Sequence, residues 1–162
     1  MLLADADLRR GGLNELFKAS ATPGFAEVLT SKLHWRDAVQ ATGTKGLHLL
    51  PRGEALNQTS ELFLSPLAQD VLREMAEAYD YVIFDSAPIL VADDTASFAP
   101  LVDATMFVVR MSSTMARLTA KALDQLYDRQ VNVVGVVLNR SSTSLKEYTY
   151  YNYASYYSIT AP

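Results

Sequence analysis

The sequence contains no cysteine, only seven glycines and a single tryptophan. Without cysteine, the chain can form neither disulfide bonds nor thiolate metal sites. No apolar run approaches the roughly 18 residues of a membrane-spanning helix, which argues against such a helix. Basic residues are also few, since 14 lysines and arginines stand against 18 aspartates and glutamates, a formal net charge of −4. This balance argues against a nucleic-acid partner.

The composition is that of a globular protein, because 162 residues with 49% hydrophobic content can form one domain with a substantial core. Short apolar runs alternate with amphipathic segments in the second half, which predicts parallel βαβ crossovers. We expect an α/β fold, with a parallel sheet flanked by helices. The predicted strands are residues 1–5, 47–50, 81–85, 104–109 and 132–138, and the main predicted helices are residues 66–78 and 115–129.

The stretch Y-V-I-F-D-S-A-P, residues 81–88, is central to the prediction. Its apolar run indicates a strand covered on both faces, as in a parallel sheet, and Pro88 prevents the strand from continuing. Ligands of open α/β sheets bind beyond the carboxyl ends of the strands. Asp85 is therefore predicted to lie at a ligand-binding edge.

A second acidic strand end follows the first apolar run, where Asp5 and Asp7 are two positions apart and Arg9 is two positions further on. Side chains two apart on a strand share a face, and two carboxylates there repel each other unless a cation or proton lies between them. Mg²⁺ prefers such oxygen ligands. We expect Asp5, Asp7 and Asp85 to converge on one magnesium site. The alternative is that each carboxylate caps the loop that follows its strand.

The last 22 residues, 141–162, differ in kind from the rest and predict a separate C-terminal tail. Tyrosines cluster there among serines, threonines and alanines with no helical or strand period. The clustered tyrosines are Tyr148, Tyr150, Tyr151, Tyr153, Tyr156 and Tyr157.

These motifs together resemble the kinase domain of bacterial tyrosine kinases (BY-kinases). M-L-L-A-D-A-D-L-R-R resembles the Walker A′ motif of that family, and V-I-F-D-S-A-P resembles its Walker B motif. G-V-V-L-N-R resembles the strand whose final asparagine faces the adenine, and the tyrosine-rich tail resembles the family's autophosphorylation cluster. G-F-A-E-V-L, L-L-P-R-G and S-E-L-F occur in the family's order, so the resemblance covers nearly the whole chain.

The resemblance implies a P-loop NTPase-like fold of the deviant-Walker, MinD type, and an ATP- and Mg²⁺-dependent protein-tyrosine autokinase of exopolysaccharide biosynthesis. Asp5 and Asp7 would help hold Mg²⁺ and receive the proton of the incoming tyrosine hydroxyl, and Asp85 would hold Mg²⁺ through water. Asn139 and Arg140 would contact the adenine.

Two further positions match the family pattern without a fixed role, namely Arg9 in the A′ motif and Asp94 after Walker B. The tail tyrosines would accept phosphate. The family also implies self-association, and either a membrane activator or a transmembrane part of the same polysaccharide co-polymerase. Such a kinase works in the cytoplasm at the inner face of the plasma membrane.

One family element is missing, because the sequence contains no G-x-x-x-x-G-K-[ST]. That P-loop cradles the phosphates of the nucleotide and helps place Mg²⁺. We therefore expect residues 1–140 to be a partial kinase domain, truncated before Walker A′ and inactive alone. We also expect uncovered apolar surface near residues 1–5 and 81–85.

Three other classes of protein share parts of this pattern. A MinD- or ParA-like partition ATPase has similar A′ and B motifs but needs no terminal tyrosines. A receiver-type phosphoacceptor domain pairs acids at strand ends, but it presents a lysine where this chain has Asn139. A non-catalytic phosphorylation substrate or oligomerisation fragment is the third alternative, and it is favoured by the missing P-loop.

Overall fold

The structure, a computed structural model, describes residues 1–57, 59–91, 93–111 and 113–141. The six tail tyrosines predicted as phosphoacceptors lie outside the described residues. The strands are β1 (Leu2–Asp5), β2 (Gln40–Ala41), β3 (His48–Leu50), β4 (Val82–Asp85), β5 (Thr105–Arg110) and β6 (Val133–Asn139). The α-helices are α1 (Leu13–Phe17), α2 (Phe25–Leu29), α3 (Trp35–Ala38), α4 (Ser60–Phe63), α5 (Pro66–Ala78), α6 (Asp93–Phe98) and α7 (Ala116–Asp128), and a 3₁₀ turn covers Ala99–Leu101.

The strands form two sheets with mainly parallel pairing. The first has the order β2-β3-β1-β4, in which β1 is parallel to both β3 and β4 and the short β2 is antiparallel to β3. The second consists of β5 and β6 in parallel. The predicted α/β class, the five predicted strands and the two main helices are confirmed, whereas β2 was not predicted. The five strands were expected in one sheet, but among the described residues they divide between two.

The main core packs on β1, the middle strand of the first sheet. Leu2 and Ala4 have no exposed surface, and the phenylalanines of α2, α4, β4 and α6 pack beside them. Phe98 lies 4.9 Å, centroid to centroid, from both Phe63 and Phe84. The helix that precedes β4 begins as its sequence predicts, because the Ser65 hydroxyl accepts the Ala68 N–H and Pro66 follows the cap.

Strand β4 is covered on only one face, so the prediction of a doubly covered strand at residues 81–84 is wrong. Val82 and Phe84 pack against the core, while Tyr81 is 71% exposed and Ile83 is 50% exposed. Large apolar side chains on that second face are thus at least half exposed. The expected apolar surface is therefore present here, as predicted.

The same expectation is wrong for residues 1–5, because β3 and β4 flank β1 and helices cover it. Uncovered apolar side chains occur instead on the second sheet. They include Met106, Val108, Val134, Val136 and Leu138. Met115, the first residue of the predicted helix 115–129, precedes α7 and is 67% exposed. No helix among the described residues is long and apolar enough to cross a membrane.

Candidate active site

Three acids meet at the carboxyl end of the first sheet. Asp5 and Asp85 are opposite each other in the parallel β1–β4 register, and the Ala6 N–H donates to the Asp85 carbonyl at 2.7 Å. Asp7 follows two residues after the end of β1. The parallel pairing therefore brings together the two acid-bearing strand ends that the sequence singled out.

Asp5 is fully buried, and its carboxylate closes the loop after β1. Its Oδ2 accepts the Leu13 N–H at 3.0 Å and its Oδ1 accepts the Asp7 N–H at 3.3 Å. A β-carbon at Gly11 would collide with this carboxylate, so the loop passes over it only because residue 11 is glycine. Burial raises the pKa of Asp5, the Leu13 N–H partly offsets this, and the negative charge of Asp85 raises it further.

Asp7 and Asp85 are more accessible than Asp5. Asp7 Oδ1 accepts the N–H groups of Arg9 and Arg10 at 3.2 and 2.9 Å. The Asp85 carboxylate has no hydrogen-bond or ion-pair partner among the described residues. Incomplete hydration of this carboxyl group and repulsion from Asp7 raise the pKa of Asp85. The two side chains are thus close enough to interact electrostatically and leave oxygens available.

These oxygens are of the type that Mg²⁺ binds, and a cation would relieve the repulsion between Asp7 and Asp85. Asp5 is less suited to direct coordination, because backbone N–H groups occupy both of its oxygens. Among the described residues, no group of three or more acidic, histidine or cysteine side chains is arranged to enclose an ion. The residues that fit a magnesium ion best are Asp7 and Asp85.

Arg9 and Asp94, which the sequence marked without a role, form an ion pair beside this site. Arg9 Nε lies 2.7 Å from Asp94 Oδ2, and the Ser60 hydroxyl donates to Asp94 Oδ1 at 3.0 Å. Burial opposes ionisation of Asp94, but the hydrogen bonds from Arg9 and Ser60 keep its pKa below the usual value.

Asn139 and Arg140, the predicted adenine contacts, lie at the carboxyl end of β6 in the second sheet. Asn139 Oδ1 accepts the Arg140 N–H at 2.8 Å, and Arg140 has a left-handed backbone with φ 55°. Within the described residues, no hydrogen bond or ion pair joins either of them to the three acids. The structure thus brings the acids together, while the predicted adenine contacts lie on a separate sheet.

Sequence reasoning missed residues that hold the loop after β1 in place. Gly11 gives room to the Asp5 carboxylate, and Arg52 Nη1 donates to the Gly11 carbonyl at 2.9 Å. Ser60 completes the contacts of Asp94. The Gly11-Gly12 pair was a usable signal, since adjacent glycines after a strand-end acid suggest a close backbone approach. Arg52 and Ser60 gave no such signal, because their partners are distant in sequence.

Known proteins resemble this chain in both sequence and fold. The chain is 33% identical over 152 residues to the tyrosine-protein kinase YwqD of Bacillus subtilis (strain 168), matching 93% of this chain and 64% of YwqD. It is 32% identical over 143 residues to the succinoglycan biosynthesis transport protein ExoP of Rhizobium meliloti (strain 1021), matching 86% of this chain and 18% of ExoP. It therefore spans less than two thirds of either relative. No protein-family model matches the chain.

Solved structures agree with the sequence relatives. The kinase domain of the Escherichia coli tyrosine kinase ETK superposes with a TM-score of 0.79 at 31% identity, over 88% of this chain and 58% of that domain. MinD of Pyrococcus horikoshii OT3, complexed with Mg-ADP, has a TM-score of 0.66 at 18% identity over 90% of this chain and 59% of MinD, which shows a shared P-loop NTPase-like fold. By sequence and by fold, the chain belongs to the bacterial tyrosine kinases and spans part of their kinase domain.

Proposed function

We propose that this chain carries the carboxylate side of the active site of an ATP-dependent protein-tyrosine autokinase of exopolysaccharide biosynthesis. The observation that carries the proposal is the meeting of Asp5, Asp7 and Asp85 at one end of the parallel sheet. Relatives named as tyrosine-protein kinases and as a succinoglycan biosynthesis protein support the reaction and its biological setting.

Asp5, Asp7 and Asp85 have different roles in the proposed reaction. Mg²⁺, when bound, neutralises the negative charge of the transferring phosphoryl group. Asp7 and Asp85 have oxygens available to hold it, directly or through water. Asp7 is also the better acceptor for the proton of an incoming tyrosine hydroxyl, because it is accessible and Asp5 is buried. Asp5 maintains the loop on which Asp7 and Arg9 lie.

The phosphate-binding side of the site is to be supplied by a strand-and-loop segment outside these 162 residues. The sequence has no P-loop motif. Strands β4 and β5 each have an unpaired edge among the described residues, and Ile83, Met106 and Val108 expose apolar surface beside those edges. A strand entering between them would pair with both and would deliver its following loop to the acids.

The remaining family features complete the proposal. Residues 1–140 are the partial kinase domain and residues 141–162 are a tail that supplies Tyr148, Tyr150, Tyr151, Tyr153, Tyr156 and Tyr157 as phosphoacceptors. Asn139 and Arg140 contact the adenine. The complete kinase self-associates and works in the cytoplasm at the plasma membrane, through a membrane activator or a transmembrane part of its own polysaccharide co-polymerase.

A second candidate is a non-catalytic fragment that serves as phosphorylation substrate and oligomer surface. The missing P-loop motif favours it, since the phosphate cradle is central to NTPase chemistry. A MinD- or ParA-like partition ATPase has less support. The solved MinD and plasmid partition proteins share the fold of this chain but are only 18% identical to it in sequence.

Calorimetry with Mg–ATP separates these functions. The 162-residue chain should show no micromolar binding. A fusion that places a strand followed by a G-x-x-x-x-G-K-[ST] loop before Met1 should bind Mg–ATP, because the phosphate cradle is restored. Micromolar Mg–ATP binding by the chain alone would contradict the proposal that the phosphate-binding side of the site lies outside these 162 residues. A folded fusion that binds no Mg–ATP would favour the non-catalytic fragment.

A further inference from the structure

The Arg9–Asp94 ion pair joins the segments that follow the two acid-bearing strands. Arg9 Nε lies 2.7 Å from Asp94 Oδ2, and Arg9 Nη2 lies 3.4 Å from Asp94 Oδ1. The Asp94 side chain is only 4% exposed, whereas that of Arg9 is 37% exposed. A planar guanidinium that contacts both oxygens of a carboxylate fixes orientation as well as distance.

Asp94 does not act as an ordinary helix-capping acid. It lies in the first turn of α6, where a carboxylate usually interacts with the N–H groups of its own helix. Its hydrogen bonds come from other segments of the chain, namely from Arg9 after β1 and from Ser60 at the start of α4. Its contacts therefore hold three separate parts of the chain together.

Hydrogen bonds from backbone N–H groups in turn connect Arg9 to Asp7. Asp7 Oδ1 accepts the Arg9 and Arg10 N–H groups at 3.2 and 2.9 Å, and the Asp7 carbonyl accepts the Gly11 N–H at 2.8 Å. Residues 7–11 thus form one closed turn that carries both the Asp7 carboxylate and the Arg9 guanidinium. Displacing Arg9 would displace Asp7.

Asp94 is similarly connected to the segment that follows Asp85. Thr95 Oγ1, one residue beyond Asp94, donates to the Ala87 carbonyl at 2.6 Å. Phe98 of the same helix packs 4.9 Å from the Phe84 ring, next to Asp85 on β4. Helix α6 therefore contacts both strand β4 and the segment that follows Asp85.

We infer that Asp94 is a positioning residue that acts through Arg9 to fix the separation between Asp7 and Asp85. The importance of that separation rests on the proposed function, in which both carboxylates serve one phosphoryl group. The separation itself is a property of this chain and can be measured without nucleotide. Breaking the ion pair should leave the turn of residues 7–11 intact but free to move relative to α6.

The absence of cysteine makes a direct distance measurement practical. Nitroxide labels on Arg10→Cys and Ser86→Cys, both exposed positions, report the separation of the two segments by electron paramagnetic resonance. The test variant is Arg9→Met/Asp94→Asn, which leaves no unpaired buried charge. We expect its interspin distance distribution to widen roughly twofold as the anchored turn becomes mobile.

The matched control is Arg73→Met/Asp70→Asn. This pair also has a 2.7 Å N–O distance, but both partners are exposed on α5. The control should keep the narrow distribution. A merely stabilising role of Arg9–Asp94 would lower the melting temperature and leave the distribution of folded molecules unchanged, and that result would overturn the inference.

A milder variant decides the question if the double variant does not fold. Arg9→Lys keeps the cation and loses the two-point contact. We expect the same widening to a smaller extent, whereas an unchanged distribution would overturn the inference. The distance measurement uses no nucleotide. Its result therefore remains valid for the ion pair even if the proposed kinase function is wrong.

Discussion

Asp5 and Asp85 are the last residue pair of the parallel β1–β4 register, yet their carboxylates have opposite surroundings. Asp5 is buried and accepts two backbone N–H groups, while Asp85 is exposed and has no partner among the described residues. The Asp5 carboxylate therefore holds the loop of the site in place, and the Asp85 carboxylate is available to a ligand.

Replacing Asp85 by asparagine should stabilise the chain at pH 7 by at most about 1 kcal/mol, the scale of exposed charge interactions. The pKa of Asp85 is raised in the folded state by reduced hydration and by Asp7. Such a carboxyl contributes stability that is fully present below the unfolded value of 3.8 and is lost as pH rises through the folded value.

Urea unfolding of both proteins between pH 7 and pH 4 checks this prediction. The unfolding free energy of the wild type should gain more on acidification than that of Asp85→Asn. Identical pH profiles would show that neither reduced hydration nor repulsion from Asp7 raises the pKa of Asp85 in the folded state.

A methyl group at Gly11 should destabilise the fold by about 1–3 kcal/mol, the usual cost of overpacking. The added β-carbon in Gly11→Ala collides with the Asp5 carboxylate, which cannot move without losing its bonds to the Leu13 and Asp7 N–H groups. Gly12→Ala is the control, since a β-carbon there meets no atom within 4 Å. Equal unfolding free energies for the two variants in urea would refute the close approach.

Removing Arg9 alone should cost more stability than removing the whole ion pair. Arg9→Met leaves the buried Asp94 carboxylate without its cation, which destabilises the folded chain because an uncompensated charge remains buried. The additional change Asp94→Asn should recover much of that loss, because an amide needs no counter-charge. Chemical unfolding of the single and double variants measures the difference. A double variant less stable than Arg9→Met would contradict the prediction.

Tail tyrosines should be the main acceptors when an active kinase of this family phosphorylates the chain. The elements predicted at residues 66–78, 81–85 and 115–129 place Tyr79, Tyr81 and Tyr127 on or beside the core, so we would expect these three tyrosines to be spared. That reason holds for Tyr79, which is half-buried and 2.7 Å from His48 Nδ1, but not for Tyr81 and Tyr127, which are 71% and 57% exposed.

Peptide mass spectrometry after incubation with active kinase and ATP measures the distribution of phosphate. We expect it on the cluster from Tyr148 to Tyr157, with Tyr79 unmodified. A variant with all six tail tyrosines changed to phenylalanine is the control and should lose most of the label. Phosphate chiefly on Tyr81 or Tyr127, with the tail unmodified, would remove the role assigned to the tail.

Local sequence signals predicted the elements that depend on local chemistry. Apolar runs located β1, β3, β4, β5 and β6, and the Ser65-Pro66 pair located the start of α5. That Asp5 and Asp85 lie at the same edge was predictable, because parallel strands place their carboxyl ends at one edge of a sheet. Their direct pairing depends on β1 and β4 being neighbours, which no local signal predicted.

Features that depend on the rest of the fold were not predictable. An apolar run such as residues 81–84 does not reveal whether one or two layers cover it, and Tyr81 and Ile83 proved exposed. The ion pair between Arg9 and Asp94 joins residues 85 positions apart, and no local signal announces such a contact. Both carboxylate oxygens of Asp5 accept backbone N–H groups. These bonds depend on the path of the loop across Gly11, which the sequence does not reveal.

Transfer of labelled γ-phosphate from Mg–ATP to tyrosine is the most direct test of the central claim, that this chain supplies the acids of a tyrosine kinase site. The assay uses the fusion that carries the added strand and P-loop, its Asp7→Asn and Asp85→Asn variants, and Asp70→Asn as an exposed control. We predict transfer by the fusion and by Asp70→Asn, and a loss of about 100-fold or more in the Asp7 and Asp85 variants with the fold retained. Undiminished transfer in either acid variant would contradict the account.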